Sequence, residues 1–103
     1  MATIFHIMKE EFERLTRTEK MYRNQIQQLP KGTPRTKSIR RRSYLYLVHR
    51  EGRKIVYDYI GASDSDKAKA SMVQVEKRKR LQRLHSETKH MLKDVRKVLR
   101  GKV

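Results

Sequence analysis

Arg35-Thr-Lys-Ser-Ile-Arg-Arg-Arg-Ser-Tyr-Leu-Tyr-Leu-Val-His-Arg-Glu-Gly-Arg-Lys-Ile-Val-Tyr-Asp-Tyr-Ile-Gly61 reads as β structure from end to end. Tyr44, Tyr46 and Val48 alternate with Leu45, Leu47 and His49, and Ile55, Tyr57 and Tyr59 alternate with Val56, Asp58 and Ile60. Period-two alternation of β-branched and aromatic residues is the signature of a strand, and Glu51-Gly52 between the two runs suits a hairpin turn. Thr36 to Ile39 is expected to add a short first strand, joined through Arg40-Arg41-Arg42, because a three-stranded meander is more stable than a lone hairpin. Gly61 closes the sheet.

On the N-terminal side, Thr3 to about Gln28 reads as a helix, with Thr3 or Ala2 near its N-cap. Phe5, Met8, Phe12, Leu15, Tyr22, Ile26 and Leu29 follow spacings of three and four, interrupted by Glu19, as in a heptad seam. Pro30, Gly32 and Pro34 end that helix. On the C-terminal side, Ser63-Asp64-Ser65-Asp66 is a helix-start signal. The helix it opens is expected to run over 64–100 and stop at Gly101. Its seam is Leu81, Leu84, Thr88, Met91, Val95 and Val98, widened by Leu92 and Leu99. The predicted fold is α+β: an N-terminal helix over 1–29, a small antiparallel hairpin or meander over 35–61, and a long C-terminal helix pairing antiparallel with the first. A single domain over 1–103 is expected. A seam that paired between chains instead would make an oligomer.

The charge distribution bears on function. The chain carries 27 Lys/Arg against 11 Asp/Glu in 103 residues, a formal net charge of +16. Residues 1–34 hold six Lys/Arg and four Asp/Glu, whereas residues 35–103 hold twenty-one and seven. A polycation of this density repels itself unless a polyanion neutralises it, and phosphate backbones are the commonest biological polyanion. There is no cysteine, hence no disulfide framework and no thiolate zinc site. No apolar run approaches the roughly 18 residues a membrane span needs, and the N-terminus lacks the pattern of a secretory signal, so a cytoplasmic location is expected. At 36% hydrophobic residues the core is expected to be thin.

The candidate site collects the basic and aromatic residues of this half. Arg35, Lys37, Arg40, Arg41, Arg42, Arg50, Arg53 and Lys54 face only Glu51 over twenty positions. That exceeds the charge needed to keep sheet edges from pairing, and points to phosphate contacts. Tyr44 and Tyr46 share one face, Tyr57 and Tyr59 share another, and a turn near Glu51-Gly52 brings the pairs together. Two readings follow: a stacking platform for unpaired bases, or an aromatic face packed on the helices. Lys77, Arg78, Lys79 and Arg80, with Arg83 downstream, form a basic helix turn that fits either a groove-lining helix or a localisation patch. Neither cofactor nor metal is expected, since His6, His49, His85 and His90 show no i,i+3 or i,i+4 pair. His49 near Arg50 and the tyrosines also admits a small ribonuclease-type toxin, although the long helix after the hairpin is unlike that class.

Leu29-Pro-Lys-Gly-Thr-Pro-Arg-Thr-Lys-Ser-Ile39 followed by Ser43 to Gly61 resembles a family of short, uncharacterised prokaryotic proteins. In that family a Pro/Gly-containing lead-in precedes a Tyr-rich hairpin ending Tyr-Ile-Gly or Tyr-Leu-Gly, and a basic helix follows. The hairpin is also similar to one near the start of some insertion-element transposases. The resemblance covers residues 29–100. Arg40-Arg41-Arg42 stands where a glycine-containing turn is expected. The resemblance implies an architecture and a mobile-element setting, in a prokaryotic cell or a phage-infected host, but no chemistry. Together these readings favour a non-enzymatic nucleic-acid-binding protein, RNA slightly ahead of DNA. The alternative is a phage or mobile-element inhibitor of an RNA-guided nuclease, an anti-CRISPR protein acting through guide RNA or its binding groove.

Overall fold

The computed structural model describes residues 3–101. The elements run α1 (Ile4–Gln27), β1 (Thr33–Ile39), β2 (Arg42–Glu51), β3 (Lys54–Ala62) and α2 (Asp66–Arg100). The expected α+β arrangement is present, with the meander rather than the lone hairpin. The chain divides into two compact units: residues 1–28 with 80–103, and residues 29–79. Among the described residues, no helix is long and apolar enough to cross a membrane.

In the first unit α1 pairs with the C-terminal part of α2. Thr3 caps α1, its Oγ1 accepting from the His6 N–H at 3.1 Å; Ala2 lies outside the described residues. Leu15, Leu92 and Val95 form the buried cluster, with Met8, Phe12 and Leu99 against it. Glu19 sits opposite His85 at 3.3 Å, while the Arg96 guanidinium lies 5.7 Å from the Phe12 ring. Numbers rise along one helix as they fall along the other, so the pair is antiparallel. The position where Glu19 breaks the apolar seam is thus filled by a polar contact with a histidine.

The α2 seam differs from the expected one. Met91 and Val98 are 52% and 53% exposed, while Leu92 is buried and Leu99 half-buried. At about 100° per residue, Leu81, Thr88, Val95 and Leu99 fall within about 40° of one another, whereas Met91 and Val98 drift to the flank. An untwisted 3.6-residue period selects 88, 92, 95 and 99 over the strict heptad reading. Phe5, at the other end of the α1 seam, is likewise exposed.

In the second unit the strands lie in the order β1-β2-β3, both pairs antiparallel. β1 begins at Thr33, earlier than expected, and so takes in Pro34. Proline is tolerated there because β1 is an edge strand. Gly32 precedes it with φ +130, where an added Cβ would lie 3.1 Å from Leu47 Cβ and 3.3 Å from the Val48 backbone. The second turn is Gly52-Arg53, one residue later than expected, since Glu51 pairs with Lys54. Gly52 alone has positive φ there, which marks a type II′ turn. A register shift between Leu45 and Tyr46 bulges β3 at Ile60. Ser65 caps α2: its Oγ accepts from the Ala68 N–H at 3.1 Å and donates to the Ala62 carbonyl at 2.6 Å. The buried side chains of this unit are Leu45 and Leu47 on the sheet and Ala68, Ser71 and Val75 on α2.

Candidate functional site

Strand alternation divides the sheet into two chemically unlike faces. On β2, Leu45, Leu47, His49 and Glu51 point one way, and Tyr44, Tyr46, Val48 and Arg50 the other. The register extends each face to its neighbours. Arg35 lies opposite Tyr46, Lys37 opposite Tyr44 and Ile39 opposite Arg42. Tyr59 lies opposite Tyr46, Tyr57 opposite Val48 and Ile55 opposite Arg50. One face therefore carries four tyrosines with Arg35, Lys37, Arg42 and Arg50. The other carries Leu45 and Leu47, 3% and 2% exposed.

This resolves which face is open. The leucine face is buried, and Tyr57 and Tyr59 on the opposite face are 54% and 57% exposed. The tyrosines do not build the core of this unit. They meet one another instead. Tyr59 touches Tyr46 at 5.4 Å between ring centres and Tyr44 at 6.2 Å, tilted by 60° and 47°. Lys37 Nζ lies 5.4 Å from the Tyr46 ring and 5.0 Å from the Tyr57 ring, the geometry of a cation–π contact.

The carboxylates keep to one face. The acids of the sheet, Glu51 and Asp58, both lie on the leucine face, where they flank His49. His49 Nε2 is 3.1 Å from Glu51 Oε1, and Nδ1 is 3.4 Å from Asp58 Oδ2, close enough for an ion pair but too oblique for a hydrogen bond. The tyrosine face has no carboxylate. Among the described residues, none of Arg35, Lys37, Arg40, Arg41, Arg42 and Arg50 forms an ion pair. Arg14 on α1, by contrast, is engaged by Glu11, and that hydrogen bond raises the arginine's pKa and lowers the carboxyl's.

Arg40 and Arg41 form the β1–β2 turn, with Arg42 already in β2 rather than in the connection. Their φ angles are 51° and 70°. Two consecutive left-handed residues in a two-residue loop make a type I′ turn, where Asn-Gly is the favoured pair. A residue bearing a Cβ is disfavoured there by roughly 1–2 kcal/mol. The glycine that the resemblance led one to expect is replaced by two strained arginines. Beside the turn, Arg41, Arg42, Ser43, Ala62, Ser63 and Asp64 line a depression of about 260 Å³, closed by a 2.9 Å hydrogen bond between the Ser43 and Ser63 hydroxyls.

Other expected site residues fall elsewhere. Arg53 occupies the second turn, and Lys54 pairs with Glu51 on the leucine face. Lys77 and Lys79 are exposed and Arg78 half-buried on α2, not on the sheet; Arg80 and Arg83 belong to the helix-pair unit. His49 lies on the leucine face, turned away from Arg50 and the tyrosines. Tyr57 and Tyr59 are the more exposed pair of the four; alternation put them on one face, and the burial of Leu45 and Leu47 on the other shows that face to be open. No group of three or more metal-binding side chains occurs among the described residues.

No curated protein and no solved structure matches the chain. A family model does, over residues 8–70. The match spans most of α1, the whole sheet and the start of α2, so it contains the tyrosine face and stops short of Lys77–Arg83. The family has no assigned activity, as the resemblance implied, but its extent is 8–70 rather than 29–100. With that span covering more than half of its length, the chain belongs to the DUF6788 family, a domain of unknown function.

Proposed function

We propose that this protein is a non-enzymatic nucleic-acid-binding protein that holds RNA or DNA against the tyrosine face of its sheet. The observation that carries the proposal is a tyrosine face that bears cations and no carboxylate. Arg35, Lys37, Arg42 and Arg50 share a strand face with four tyrosines and no carboxylate, Arg40 and Arg41 stand at its turn, and both sheet acids lie on the buried-leucine side. Unpaired surface cations that repel one another are unfavourable in the free protein, and a polyphosphate backbone relieves that repulsion. Arginine adds a forked donor for phosphate, and tyrosine a ring beside it. The strained Arg40-Arg41 turn supports the same reading, since local strain concentrates where side chains serve a ligand rather than the fold.

A prokaryotic mobile-element setting, to which the hairpin's resemblance to some transposases points, accords with such a ligand. The inhibitor of an RNA-guided nuclease is a special case of the proposal. Sequencing the nucleic acid that co-purifies with the protein distinguishes guide RNA from messenger, ribosomal RNA and genomic DNA.

The direct test replaces Arg35, Lys37, Arg42 and Arg50 with alanine. The control replaces Lys9, Arg17 and Lys20, which are exposed on the nearly neutral α1. Removing one hydrogen bond to phosphate is expected to cost about 1 kcal/mol or more, the scale of a charge-assisted interaction. The sheet variant should therefore weaken binding by at least two orders of magnitude in fluorescence anisotropy, and the control by about tenfold or less. Equal effects would mean a diffuse polycation without a dedicated face.

A further inference from the structure

Resting on that reading, we infer that the ligand is single-stranded and that two of its bases stack on Tyr57 and Tyr59. The geometry sets these two rings apart from the other aromatic side chains. They lie more than half exposed on β3, on a face that contributes nothing to the buried set of its unit. They are also braced. Tyr59 leans on Tyr44 and Tyr46, and Lys37 spans the space between Tyr46 and Tyr57. Holding an aromatic ring in place before binding removes part of the ordering cost that a flexible side chain incurs.

Ile39 and Ile55, 51% and 56% exposed, lie on the same face. The centre of the site is thus an apolar, aromatic surface bordered by cations, not a uniformly basic one. A duplex has little to offer such a surface, because its base faces are hidden in the stack and it presents phosphates and groove edges. A basic rim alone would serve it. An unpaired strand offers both parts at once, bases for the rings and phosphates for Arg35, Lys37, Arg42 and Arg50. Stacking is tolerant of sequence because every base has a π face, so broad sequence tolerance follows. An acidic, apolar protein surface is the competing occupant, and it would leave every nucleic acid unbound.

The experiment measures anisotropy of a labelled 20-nucleotide RNA and DNA, single-stranded and as duplexes of the same sequence, at one salt concentration, with heparin as a base-free polyanion. The variants are Tyr57→Leu with Tyr59→Leu, which keeps strand propensity and apolar character, and Tyr57→Phe with Tyr59→Phe, which keeps the rings. Circular dichroism and melting temperature confirm that each variant is folded. Single strands are expected to bind more tightly than duplexes. The leucine pair is expected to weaken single-strand binding by about tenfold for each ring removed, to leave heparin binding unchanged, and to be restored by the phenylalanine pair. Duplex binding as tight as single-strand binding, or a leucine pair without effect on single strands, would overturn the inference and leave the charged face as a duplex or general polyanion site. Absence of binding to every nucleic acid tested would overturn the parent proposal as well, and would direct attention to a protein partner.

Discussion

Arg40 and Arg41 hold a backbone conformation that the rest of the hairpin does not oblige arginine to supply. Asn-Gly at these two positions fits the type I′ turn without strain. Arg40→Asn with Arg41→Gly should therefore raise stability by about 1–2 kcal/mol, read as a higher melting temperature, while lowering nucleic-acid affinity. A rise in stability with unchanged affinity would show that the turn takes no part in binding. Opposite movement of the two quantities is the usual mark of a residue kept for function. The arginine run was visible in the sequence, and so was its departure from a glycine turn. Its φ values were not, because a run of three arginines is compatible with several loop lengths until the register assigns Arg42 to β2.

At the level of elements, the helix pair rests on a short list of side chains. Leu15 is buried against Leu92 and Val95, so Leu15→Asp places a carboxylate in an apolar cluster, at a cost on the order of several kcal/mol. Met91→Asp, on the exposed flank, should shift the melting temperature little. Equal effects would restore the strict heptad seam. The apolar spacing showed that a seam existed but not its exact line, since 88-91-95-98 and 88-92-95-99 differ by one residue at two positions. The sheet was legible in the same partial way. Alternation grouped the four tyrosines on one face, and a turn displaced by one residue keeps them together, because the pairing partners shift by two. What it left open was which face is buried. Both faces of β2 are apolar, and the helix stripe in this unit is Ala68, Ser71 and Val75, too small and too polar to register as a hydrophobic seam.

For the whole molecule, a net charge of +16 guarantees some attraction to any polyanion, so affinity alone says little. The salt dependence says more. Six cations at the tyrosine face and its turn correspond to a slope of log K against log salt of about −4 on a single strand, or roughly a 300-fold weakening between 50 and 200 mM salt. A much steeper slope would mean that charge throughout residues 35–103 is engaged. A flat profile would remove the polyanion ligand altogether. Intrinsic fluorescence offers a convenient companion signal, because the chain has no tryptophan and four of its five tyrosines lie on this face. The imbalance between residues 1–34 and 35–103 was readable at once, whereas the confinement of both sheet acids to the leucine face needed the register, which composition does not contain.

Between Tyr44 and His49 the odd and even positions carry separate instructions, one set for the interior and one for the surface. Substitutions can edit either set alone. A change of length cannot, because gaining or losing one codon there would turn the remaining tyrosines inward and the leucines out to water. Such a variant would forfeit core and tyrosine face in a single step. Across relatives of this chain, the stretch is therefore expected to drift in spelling far more readily than in length.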